Sequence, residues 1–336
     1  MSPSTSHKQV SFADAMSVKA TSPHTYEADF PEDWCIGSVP HGGYITAVFQ
    51  TVASTHFKTT LKAQNQPHTI ALHLDFLRRT QKGPALFTVK DTKLGRQTSV
   101  IHITLSQISG SSSREEVFCS LTQSNMASEH GVSIPTHYKL QPPPPALPIN
   151  FALLKSNKDK NWVKTGEGLH TEFRKATAKA ETYLPVSNKE QKGYSEQWMR
   201  LKNGERWTNE MMGYVVDIFA VPVERNLDLE AAAPSLTTKS TSSTKSNSNS
   251  SSYKPCPDFW YPTVLLNLDV KKSLPEEGVE WLFTRTSAKV IKNGRMDLEF
   301  VVLDEAGEIV ALSHHVALAV GRERNTGVRG GGESKI

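Results

Sequence analysis

Apolar residues recur at helical spacing after His41. Four of them share one face of a predicted helix: Ile45, Val48, Phe49 and Val52. The helix is predicted from about His41 to Lys58. Gly42 and Gly43 stand at its start, where free backbone N–H groups and the positive end of the helix dipole point outward. We expect this helix to fill a curled antiparallel sheet, because strand-like segments follow it.

Short segments with strand-like patterns are bounded by Gly, Pro and Ser in both halves of the chain. In the first half the predicted strands are Ser17–Tyr26, Thr69–Arg79, Ala85–Leu94, Gln97–Ser106 and Glu115–Gln123. In the second half they are Ala178–Leu184, Ser195–Arg200, Trp260–Lys271, Glu280–Ile291, Arg295–Leu303 and Ile309–Val320.

A second helix is predicted from Asn209 to Arg225, with Asn209 as its N-cap and Pro222 near its end. Its apolar stripe consists of Met212, Val215, Val216 and Phe219.

The two halves repeat the same order of elements and part of the same sequence. Leu72-His73-Leu74-Asp75 matches Leu266-Asn267-Leu268-Asp269, and the Gly95-Arg96 turn matches Gly294-Arg295. A duplicated unit is therefore favoured over two unrelated domains. A helix wrapped by an antiparallel sheet, twice in one chain, is an α+β architecture.

Composition predicts where the units begin and end. The units are expected at residues 11–125 and 151–321, with a proline-rich linker at 126–150 between them. A stretch rich in Ser, Thr, Asn and Lys at 235–252 is expected to be a disordered insertion, and 322–336 a flexible tail.

Charge and cysteine content restrict the partners and the cellular compartment expected for this protein. The 336 residues carry a formal net charge of only +4, without a basic block, so nucleic acid is not expected. Three cysteines without metal-like spacing favour a reduced, intracellular protein. The N-terminus lacks the apolar region of a secretory signal, and no apolar run approaches the ~20 residues that a membrane span needs.

The last three residues, Ser334-Lys335-Ile336, differ from the peroxisomal Ser-Lys-Leu address by one isomeric side chain. One interpretation is import into the peroxisome by a receptor. The other is a chance tripeptide on a cytoplasmic protein.

The sequence resembles the acyl-CoA thioesterase family with a double hot-dog fold, in particular its fungal thioesterase-like members. The resemblance rests on several stretches in a family-like order, among them Pro40-His41-Gly42-Gly43-Tyr44, Leu74-Asp75-Phe76-Leu77-Arg78, Gln197-Trp198-Met199-Arg200 and Asn293-Gly294-Arg295. It implies two tandem hot-dog units, each a curled antiparallel sheet around a central helix. It also implies hydrolysis of an acyl-CoA thioester to free acid and coenzyme A.

The resemblance points to three catalytic positions, which would hold the attacking water. Asp217, five residues before Pro222, matches the spacing of the family's helix Asp. Asn267 stands where the family has Ser or Thr, and His315 where it often has Gln. Since strand side chains alternate, one of His314 and His315 should point inward and the other to solvent.

The helix start is the candidate substrate-binding segment: His41, Gly42, Gly43 and Tyr44. Its glycines either offer N–H groups to a thioester oxygen or allow tight packing of the helix. Neither a cofactor nor a metal ion is expected, and assembly into a homo-oligomer is left open. The alternative functions are a hot-dog protein that binds an acyl thioester without hydrolysing it, and a hydratase or dehydratase.

Overall fold

The computed structural model describes residues 10–145, 149–165, 171–186, 193–219 and 259–326. The predicted insertion at 235–252, Pro222 and the Ser334-Lys335-Ile336 tripeptide lie outside these ranges. The α-helices are α1 (Phe12–Ala15), α2 (Gly42–Lys58), α3 (Phe151–Lys155), α4 (Met212–Val215) and α5 (Glu323–Thr326).

The strands of the first half are β1 (Lys19–Ser22), β2 (Thr25–Phe30), β3 (Cys35–Ile36), β4 (Val39–Pro40), β5 (His68–Phe76), β6 (Gly83–Lys93), β7 (Ser99–Ser109) and β8 (Ser112–Ser124). Those of the second half are β9 (Trp162–Lys164), β10 (Ala180–Pro185), β11 (Tyr194–Leu201), β12 (Phe259–Trp260), β13 (Thr263–Val270), β14 (Leu282–Lys292), β15 (Arg295–Leu303), β16 (Ile309–Leu318) and β17 (Val320–Gly321).

One antiparallel sheet runs through both halves. Its strand order is β1-β2-β6-β7-β8-β5-β13-β16-β15-β14-β11-β10-β9, so each half repeats the same order outward from the centre. The halves meet where β5 pairs with β13. The predicted α+β class with two curled antiparallel units is confirmed.

The duplicated tetrapeptides meet at this central pair. His73 lies opposite Asn267, and the leucines beside them face each other as Leu72 opposite Leu268 and Leu74 opposite Leu266. Equivalent positions of the two repeats thus lie around one pseudo-twofold axis. The leucines point into the core, where all four are at most 4% exposed.

The long helix α2 crosses the core, as its apolar stripe predicts. Ile45, Val48, Phe49 and Val52 are fully buried. Its counterpart is much shorter than predicted: a 3-10 turn at Asn209–Met211 leads into α4, which ends at Val215. Asp217 therefore lies in the turn after α4 rather than on the helix.

The linker and the tail do more than connect. Leu140 of the linker is buried against Leu154, Trp162 and aromatic residues of the second-half sheet, in a cluster separate from the main core. In α5, Asn325 is fully buried and its amide donates to the backbone oxygen of Ile36. The expected flexible tail is therefore docked at its beginning. In the described part of the chain, no helix is long and apolar enough to cross a membrane.

Candidate active site

The carboxyl group of Asp217 is buried at the N-terminus of α2. The Gly43 N–H donates to Asp217 Oδ2 at 2.6 Å, and the side chain is only 7% exposed. A helix N-terminus favours a carboxylate, because its first N–H groups have no partner within the helix and the dipole is positive there.

Two glycines bring the helices close enough for this contact. A Cβ atom on Gly43 would lie 2.5 Å from Asp217 Cβ and 2.7 Å from the Gly213 carbonyl oxygen. A Cβ atom on Gly213 would likewise clash with a side chain of α2, and the Gly213 N–H donates to Gln50 Oε1 at 2.8 Å. The tight-packing interpretation of Gly43 therefore holds. Its N–H is bonded to Asp217, so it is not available to a thioester oxygen.

His41 approaches the same carboxylate from the N-cap of α2. The Tyr44 N–H donates to His41 Nδ1 at 3.3 Å, which leaves the ring proton of the neutral imidazole on Nε2. His41 Nε2 lies 3.5 Å from Asp217 Oδ2. The Tyr44 side chain points elsewhere: its hydroxyl donates to the Ala15 carbonyl in the core.

His315 faces the other carboxylate oxygen from β16. The Ser313 hydroxyl donates to the Asn267 carbonyl oxygen at 2.5 Å, so His315 Nε2 must donate to Ser313 Oγ, 2.9 Å away. Nδ1 is then an unprotonated acceptor. It lies 3.7 Å from Asp217 Oδ1 and has no hydrogen-bond partner among the described residues.

The expected alternation of the two histidines is confirmed. His315 is fully buried, whereas His314 is 44% exposed and pairs with Asp297 on the outer face.

Asn267 does not join this group through its side chain. It lies opposite His314 in the sheet and therefore points to the outer face, where its Oδ1 lies 2.8 Å from His73 Nδ1. Its neighbours Leu266 and Leu268 occupy the inner face, as the two-residue period of a strand requires. Only its backbone carbonyl contributes to the site, by fixing Ser313.

The hydroxyl that donates to Asp217 belongs to Thr263, which the sequence reasoning missed. Thr263 Oγ1 donates to Asp217 Oδ1 at 3.1 Å from the first position of β13. A signal was available, because Thr69 and Thr263 each stand three residues before the repeated Leu-x-Leu-Asp.

Burial dominates the electrostatics of the site. It raises the pKa of Asp217, an effect opposed by His41, the Gly43 N–H and Thr263. Burial also lowers the pKa of His41 and lowers that of His315 to about 3. Both imidazoles are thus neutral near pH 7, and Asp217 is a stronger base than an exposed aspartate.

Comparison with known proteins places this chain in a family. The family description "Acyl-CoA thioesterase N-terminal domain" matches residues 30–123, and "Acyl-CoA thioesterase C-terminal domain" matches residues 149–319. The chain belongs to the acyl-CoA thioesterase family. A curated relative, "Thioesterase-like protein TwmA" from Talaromyces wortmannii, is 36% identical over 95% of both chains.

Solved structures share the fold at low identity. A putative thioesterase II from Thermobifida fusca YX superimposes with a TM-score of 0.65 at 16% identity, over 92% of this chain and 97% of that one. The acyl-CoA thioesterase II TesB2 from Mycobacterium marinum gives 0.60 at 12% identity, over 94% and 100%. A protein from Alicyclobacillus acidocaldarius described as having a hot-dog fold gives 0.65 at 14% identity, over 92% and 97%. These likenesses support the tandem hot-dog fold.

Proposed function

We propose that this protein hydrolyses an acyl-CoA thioester with a water held by Asp217 and His315. The observation that carries the proposal is the pair of hydrogen-bond acceptors, Asp217 Oδ1 and His315 Nδ1, which lie 3.7 Å apart. One water can donate to both, because an O–H···O hydrogen bond spans about 2.8 Å. Its lone pair would then point away from both groups, toward a substrate.

The chemistry follows from the state of each group. As the water oxygen bonds to the thioester carbonyl carbon, Asp217 accepts a water proton. The tetrahedral intermediate collapses by cleavage of the C–S bond, and the thiolate takes up the proton that Asp217 accepted from the water, which returns Asp217 to the carboxylate. A thiol ionises near pH ~8.5, so its departure needs little acid catalysis. His315, which is neutral near pH 7, orients the water, and Thr263 holds the carboxylate.

The carbonyl oxygen needs a donor where negative charge develops. Gly42 is the candidate, because Gly43 already donates to Asp217 and the Gly42 N–H has no acceptor among the described residues. Gly42 also lies beside the carboxylate: a Cβ atom there would be 3.1 Å from Asp217 Oδ2.

The coenzyme A ester is proposed from the family's description. Thiol release from acyl-CoAs of graded chain length, measured with a chromogenic thiol reagent, tests the proposal. Turnover of at least one chain length is expected. No thiol release from any of them would contradict it.

The non-hydrolytic binding protein is the second candidate, since His315 stands where the resemblance expects Gln. Tight acyl-CoA binding without turnover would favour it. Peroxisomal import stays a prediction, because Ser334-Lys335-Ile336 lies outside the described residues.

A further inference from the structure

We infer that His24, His56 and Asp91 form a zinc-binding site. The three residues come from separate elements: the turn between β1 and β2, the last turn of α2, and the far part of β6. His24 Nε2 lies 3.0 Å from Asp91 Oδ2, and His56 Nε2 lies 2.9 Å from Asp91 Oδ1. When one ligand atom is taken from each residue, the three atoms all lie within 4.8 Å of one another.

The spacing of these donors is close to that of a tetrahedral zinc site. Zn²⁺ bonds of about 2.0–2.1 Å at the tetrahedral angle place neighbouring ligand atoms about 3.3 Å apart. Each histidine Nε2 lies within a few tenths of an ångström of this value from an oxygen of Asp91, His24 from Oδ2 and His56 from Oδ1. The remaining adjustment falls on His24, which is 46% exposed and sits in a turn. Two imidazoles and one carboxylate leave a fourth position for water.

Tyr26 supplies the support that a metal-binding histidine needs. Its hydroxyl lies 2.9 Å from His56 Nδ1 and 3.4 Å from the Pro23 carbonyl oxygen. It can therefore accept the Nδ1 proton of His56 while donating to Pro23, which leaves Nε2 unprotonated for the metal. Partners of this kind fix the tautomer and ring orientation of ligating histidines.

The surroundings favour a cation. His56 is fully buried near the C-terminus of α2, where the helix dipole is negative. Asp91 presents one carboxylate oxygen to each histidine. One carboxylate with two imidazoles thus suits a divalent transition metal.

The site is separate from the candidate active site. Gly43 and His56 are 13 residues apart on one helix, which corresponds to about 20 Å. Bound zinc would join the β1–β2 turn to α2 and β6 and stabilise the first half. This inference stands independently of the proposed hydrolysis, and it departs from the expectation of no metal ion, which rested on cysteine spacing alone.

The experiment is zinc titration of the tag-free, metal-stripped full chain by calorimetry, followed by thermal unfolding with and without Zn²⁺. The wild type is expected to bind one equivalent and to unfold at a higher temperature with zinc. Asp91→Asn and His24→Ala should each weaken zinc binding at least about tenfold, since even supporting residues around a metal site are worth 10–100-fold. Tyr26→Phe should weaken it about tenfold while keeping all three ligands.

His73→Ala is the matched control. His73 is 42% exposed and lies beside Asp75, as His24 lies beside Asp91. Among the described residues, however, no third His, Cys, Asp or Glu forms a cluster of potential metal ligands with His73 and Asp75. Its zinc affinity should equal that of the wild type. Absence of binding by the wild type, or undiminished binding by both Asp91→Asn and His24→Ala, would overturn the inference and leave a hydrogen-bonded triad only.

Discussion

Replacing Asp217 with Asn separates the chemistry of the site from its packing. The two side chains have nearly the same shape, so the Gly43 N–H keeps an oxygen acceptor. The new amide group can donate to His315 Nδ1, which has no partner among the described residues. The negative charge and the base are lost.

The substitution should lower activity without lowering stability at neutral pH. A general base contributes about 10²–10⁴-fold, or about 2.7–5.4 kcal/mol at 1.36 kcal/mol per factor of ten. Turnover should fall by that factor. Stability at neutral pH should stay equal or rise, because burial raises the pKa of Asp217 and the ionised form therefore costs folding free energy.

The pH dependence has a definite sign. The stabilisation from protonated Asp217 is fully present below its unfolded-state pKa and is lost as pH rises through the higher folded-state pKa. The advantage of Asp217→Asn in unfolding temperature should therefore grow with pH over this range. Wild-type kcat/KM should fall as pH drops through the same raised pKa, because the base must be ionised.

Thiol-release kinetics and thermal unfolding test the predictions for activity and for stability. Both are measured from about pH 4, near the ordinary pKa of a carboxyl group, to about pH 8. Asp297→Asn is the control, since Asp297 pairs with His314 on the outer face and is 37% exposed. The reasoning would be refuted if the Asp217→Asn variant turned over substrate at the wild-type rate, or if this variant lost much of its stability at neutral pH.

Three further comparisons probe the geometry. Gly43→Ala should cost roughly 1–3 kcal/mol of unfolding free energy, because its Cβ would lie 2.5 Å from Asp217 Cβ. Gly42→Ala should cost less, because the nearest atom to its Cβ is 3.1 Å away. Equal unfolding temperatures of the two variants would contradict this. Ser313→Ala should lower kcat more than it changes KM, with recovery in Ser313→Thr, because Ser313 sets the tautomer of His315; an unchanged kcat would remove that role. Thr263→Val should reduce turnover while Asn267→Ala leaves it within about twofold, and the reverse order would restore Asn267 to the site.

Local patterns predicted much of the fold. The spacing of apolar residues placed α2 to within a residue, and β15 runs from Arg295 to Leu303 as predicted. The repeated Leu-x-Leu-Asp located the two strands that meet at the centre of the sheet. These features are set by short-range periodicity, which the sequence carries directly.

The arrangement of the candidate active site could not be predicted from the periodicity of the sequence. Asp217 lies beyond a helix that ends early, and the position of its hydroxyl partner depends on a register shift between Thr263 and Leu265. The resemblance selected Asn267, which the pleat turns to the outer face. The cluster of His24, His56 and Asp91 is likewise assembled only by tertiary contacts, so no sequence spacing indicates it.

The measurement that tests the central claim most directly is a single turnover of an acyl-CoA in ¹⁸O-labelled water, with the released acid analysed by mass spectrometry. If the water held by Asp217 and His315 attacks the carbonyl carbon, the acid carries one labelled oxygen after the first turnover. An unlabelled acid would show that an oxygen of the Asp217 carboxylate attacked instead, with water then opening the mixed anhydride at the aspartate carbon. Absence of any acid would remove the proposed hydrolysis.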